Sequence, residues 1–160
     1  MTANEMDSGP VPSPGLTAGD LTTNTLKAAR NGLLRVHRLL LEVERIELER
    51  SRGRMTPNQY LQAVLSDPAF DWLRPASQLI VQIDEALDDA EREGAPVESG
   101  TTASLLAQVR SLLTPVPPTT MFATRYLQML QDHPDVVFAH RDVMAGLPKG
   151  FLGPTPDLLQ

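Results

Sequence analysis

The sequence predicts an all-α fold: a single-domain helical bundle of about five helices over residues 22–147, with an irregular N-terminal arm, 1–21, and an extended C-terminal tail, 148–160. Three observations predict it. Apolar residues recur at spacings of three and four through most of the chain, the pattern of helix faces. Aromatic residues make up 4% of the 160 residues against 41% for all hydrophobics, so the core is built of Leu, Val, Ile, Ala and Met rather than the β-branched and aromatic residues that strands prefer. Prolines and glycines fall at segment ends and in the tails, where they punctuate helices without breaking them. A chain of this length buries a sizeable core in one domain without disulfide or metal staples.

The first segment, rich in Pro, Ser, Gly and Thr with Pro10, Pro12 and Pro14 close together, reads as a disordered arm. From about Thr25 to Arg52, Leu26, Ala29, Leu33, Val36, Leu40 and Val43 line one face of a long helix. Gly53 ends it, and Arg50, Arg52 and Arg54 sit where cations complement the helix dipole. Thr56, Pro57 and Gln59 form a cap, a first-turn proline and the partner of a capping box, opening a short helix with Tyr60, Leu61, Val64 and Leu65.

Asp67 then caps a turn led by Pro68, and Pro75 either starts a new helix or kinks a continuous one near Asp71. Beyond it Trp72, Ala76, Leu79, Ile80, Ile83, Leu87 and Ala90 share a narrow stripe, while Gln78, Gln82, Asp88 and Asp89 take the other side. Residues 75–93 are therefore expected to be a core helix packed on helix 25–52. Residues 92–100 read as a loop, after which Thr101 or Thr102 caps a helix with Leu105, Leu106, Val109, Leu112 and Leu113 that Pro115 breaks. Thr119 or Thr120 caps the next, with Met121, Phe122, Tyr126, Leu127 and Leu130, and the run from Gln131 to Asp135 supplies another proline-led start. Met121, Met129 and Met144 read as core filler.

Several function classes are disfavoured by composition. Twenty acids against 14 bases leave a net charge of −6, so nucleic-acid binding is not expected. The basic run Arg50–Arg54 reads as a solvated helix end. The chain has no cysteine, which excludes disulfides, thiolate nucleophiles and cysteine-ligated metals. No secretory leader and no apolar run of membrane-spanning length is seen, so a cytoplasmic location and no membrane partner are expected. Nucleophile-elbow, phosphate-loop, dinucleotide and calcium-loop patterns are absent. Asp84, Glu85, Asp88 and Asp89 read as a solvated face opposite the apolar stripe.

The polar residues that fall on apolar faces are the candidates for chemistry. Arg30, His37 and Glu44 form a line at seven-residue spacing down a face that ought to be buried, and His133 and His140 form a second such pair. Imidazole and carboxylate turned into a bundle can bind a metal or a small polar ligand. Residues seven apart lie about 10 Å from one another along a helix, so a single ion would need ligands from different helices. The structural alternative gives each a private hydrogen-bond partner, Arg30, Arg74 or Tyr60 being suitable, or places them at a subunit contact. Neither a catalytic residue nor a cofactor is assigned. The expected function is a non-enzymatic interaction or assembly module that associates with itself, as a homodimer, or with another protein. The alternative is a metal- or ligand-binding bundle using His37 and Glu44 with His133 or His140. Leu39, Leu41, Ile46 and Leu48 lie outside the main stripe of the first helix, which must therefore be covered on two sides.

Overall fold

The computed structural model of the chain describes residues 21–149. Those residues form an all-α bundle of six helices rather than about five: α1 Thr23–Arg52, α2 Pro57–Ser66, α3 Arg74–Glu93, α4 Ser99–Leu112, α5 Met121–Asp132 and α6 Pro134–Gly146. Each of the six matches a segment read from the sequence, including the short α2 that opens at the Thr56 capping box and α6, which opens at the proline-led start after Gln131. The expected arm, and the tail beyond Lys149, lie outside the described residues.

Local chemistry sets the boundaries. Thr22 caps α1, its Oγ1 accepting from Thr25 N at 3.1 Å, and Gly53 at φ 85° ends it in a conformation that side chains disfavour. Thr56 and Gln59 close the expected capping box, with bonds of 3.2 and 2.9 Å. Asp67 Oδ1 accepts from Ala69 N at 2.9 Å and starts a 3-10 turn, Pro68–Leu73, that leads straight into α3. Thr120 caps α5 by accepting from Ala123 N at 3.0 Å. The expectation for α4 needs correction: it begins at Ser99 behind Glu98, with no side-chain cap. Thr101 and Thr102 are thus inside its first turn, and the hydroxyl of Thr102 is buried without a partner among the described residues.

The apolar stripes meet in one core. Leu26, Ala29, Leu33, Val36, Leu40 and Leu48 of α1 are buried, and the stripe passes through Glu44 rather than the half-buried Val43. α1 is the central element: it packs on α6, α3, α4 and the 3-10 turn. Contact with α6 is close because Gly32 has no side chain; a Cβ there would lie 2.6 Å from Val143 Cγ2. Ala76, Leu79, Ile80, Ile83 and Ala90 of α3 are buried as the stripe requires. The bundle itself covers most of the second face of α1, burying Leu48 and part of Leu39 and Leu41, so that Ile46 alone of those four is exposed. Met129 is buried and Met144 half-buried, but Met121 is 69% exposed. It stands on the outer side of the first turn of α5, so it does not fill the core.

Candidate functional site

Glu44 is the one buried carboxylate among the described residues, and no Lys, Arg or His there is fully buried. It sits where the core stripe of α1 crosses the 3-10 turn and α5. Trp72 Nε1 donates to Glu44 Oε1 at 2.8 Å, and Arg125 Nη2 donates to the same oxygen at 2.7 Å. The Arg125 guanidinium also lies 5.6 Å from the centre of the Trp72 ring, near enough for a cation–π attraction. Charge, indole and carboxylate thus satisfy one another, the condition for burying a carboxylate at all.

An aromatic line leads inward from this node. Trp72 lies 5.7 Å from Phe122 and Phe122 stacks 5.4 Å from Tyr126. Tyr126 OH meets His140 Nδ1 at 2.7 Å, joining α5 to α6. Burial pushes the tyrosine hydroxyl up and the His140 imidazole down from their ordinary values. Both shifts favour a neutral pair in which the hydroxyl donates to the ring.

His37 is held separately, between α1 and α3. Its Nε2 lies 2.9 Å from Ser77 Oγ, and that hydroxyl donates to Leu73 O at 3.3 Å. Burial lowers the pKa of His37. Arg30 does not join it; its Nε binds Asp84 at 2.7 Å across to α3. His133 sits at the junction of α5 and α6 with no side-chain capping bond.

The structure therefore gives His37, Glu44 and His140 three different sets of partners and does not gather them with His133. Among the described residues no three His, Asp or Glu side chains come close enough to hold a metal ion. Of the partners suggested by sequence, Arg30, Arg74 and Tyr60, none is used: Arg74 pairs with Asp71 and Tyr60 packs on Phe70. Trp72 carried a readable signal, because a buried indole needs an acceptor and Glu44 is the acid on an apolar face. Arg125 and Ser77 carried none, since only the crossing of the helices brings them into range. No helix among the described residues is long and apolar enough to cross a membrane. No family model matches the chain, and no curated protein or solved structure matches it either.

Proposed function

We propose that the protein is a non-enzymatic, cytoplasmic assembly module that pairs with a second copy of itself through α2. The observation that carries this is the state of that helix. α2 contributes no buried residue, and Leu61 and Leu65 on its outer side are 54% and 69% exposed. It is tied down by its capping box, by Tyr60 packing on Phe70, and by Met55 N donating to Glu49 Oε1 at 3.3 Å. An amphipathic helix presented this way leaves apolar area that association would cover.

A second copy is the occupant that fits the charges. Residues 55–66 contain no charged side chain, in a chain that is 21% charged with a net charge of −6. Two like-charged copies repel as whole molecules, and an isologous contact sets each residue of the patch against the same patch. A neutral helix with paired leucines meets that condition, and an acidic or basic face does not. A helix about 15 Å long is too small by itself to bury the roughly 800 Å² per partner of a stable interface, and Ile46 of α1, 41% exposed, offers further apolar area.

Native mass spectrometry of the full chain tests this, because it reports subunit number and retained mass together. The expected result is a dimer that becomes a monomer in Leu61→Glu/Leu65→Glu, with the helical signal of the chain unchanged. A wild-type chain that stays monomeric at tens of micromolar overturns the proposal. The ligand-binding reading of His37 and Glu44 has no observation in its favour, since each already has protein partners.

A further inference from the structure

An open groove of about 1240 Å³ runs between α3, α4 and the connection from α4 to α5. Leu79, Leu112, Val116 and Phe122 supply its apolar surface, and Gln78, Gln82 and Gln108 supply amides along it; Arg110 is the one charged residue in its lining. Such a surface suits a neutral, extended segment with apolar side chains and free carbonyls, because glutamine amides donate to carbonyls and apolar walls take the side chains.

The chain itself contains a segment of that chemistry. Residues 150–160, GFLGPTPDLLQ, hold one charged side chain, Asp157, and four large apolar ones, Phe151, Leu152, Leu158 and Leu159. Pro154 and Pro156 favour an extended backbone and lack donors of their own, which lowers the entropy lost on docking and leaves carbonyls to be satisfied. Arg110 connects the two features: its Nη2 donates to Pro148 O at 3.0 Å, so the described chain leaves α6 against α4, whose residues form one wall of the groove. Eleven residues reach about 35 Å when extended, more than the roughly 21 Å length of α4.

We propose that residues 150–160 seat in the groove between α3 and α4 of their own chain. The N-terminal arm does not suit the groove as well. It enters beside Val97, whose N–H donates to Thr23 Oγ1 at 3.0 Å, at the end of the α3–α4 cleft walled by Glu85, Asp89, Glu93 and Glu98. Residues 1–20 carry Glu5, Asp7 and Asp20 and no base, so that end repels them.

The absence of cysteine makes the test direct, since Leu158→Cys in the full chain provides a single attachment point for a nitroxide. The amides of Gln78, Gln108 and Val116 are expected to lose more than half their NMR intensity, with recovery on reduction of the label, while Asn58 and Gln62 on α2 keep theirs. The same loss is expected in the Leu61→Glu/Leu65→Glu background, which separates this contact from pairing through α2. Val116→Asp, at an exposed loop position, is expected to restore the intensities of Gln78 and Gln108 without unfolding the chain. Unaffected groove amides overturn the proposal. So does a loss that persists undiminished when spin-labelled, isotope-free chains are mixed with label-free isotopic ones, because the occupant would then come from another molecule.

Discussion

Glu44 shows at the scale of one residue how a polar side chain is tolerated in a core. Its carboxylate holds a buried indole N–H and a guanidinium at once, so its value lies in what it leaves unpaired when removed. Glu44→Ala is expected to cost about 3 kcal/mol, the sum of an orphaned donor, an unpaired cation and lost packing. Glu44→Gln keeps an acceptor for Trp72 and is expected to cost about 1 kcal/mol. Urea midpoints followed by the fluorescence of Trp72, the chain's single tryptophan, measure both. That Glu44 would be buried was legible, because it interrupts an apolar stripe. Which residues would meet it was not, for Arg125 lies 81 residues away and its position depends on how α5 crosses α1.

At the scale of elements, helix starts were legible at Thr56, Asp67 and Thr120, where a side chain supplies the missing acceptor, while the cap that Thr22 gives α1 was not read. α4 was misplaced because it starts without one, so no residue announces it. The seam between α1 and α6 was not legible at all. Nothing in the sequence around Gly32 distinguishes a glycine that admits Val143 from one that merely lowers helix propensity. Gly32→Ala separates the two. In an exposed helix the change gains about 1 kcal/mol, but here the added carbon meets a β-branched side chain that cannot swing away. The expected outcome is a net loss of about 1–2 kcal/mol in chemical denaturation, with Gly32→Ala less damaging in a Val143→Ala background than alone.

Over the whole molecule, the fold class was legible because leucine periodicity repeats in almost every segment and prolines and glycines mark the breaks between them. Stability as a function of pH is also a property of the whole chain. Burial holds His37 and His140 below the value of 6.5 that each has when free. Between the folded and free values the unfolded chain binds more protons, so this stability is fully present above about pH 6.5 and is lost as the pH falls toward the folded pKa values. The urea midpoint is therefore expected to drop between about pH 7.5 and pH 5.5, before most carboxylates titrate. Replacing both histidines by glutamine is expected to flatten that drop. The junction at His133 bears on how the molecule is held together. That residue is the first position after α5 and the last before α6, and the Tyr126–His140 bond spans the angle between the two helices. The pair has the form of a bracket, with His133 as its corner and that bond as its cross-strut. Adjacent residues of α5 thus fasten that short helix on both sides, Arg125 to Glu44 of α1 and Tyr126 to His140 of α6, as a shelf is held at the wall and at its brace.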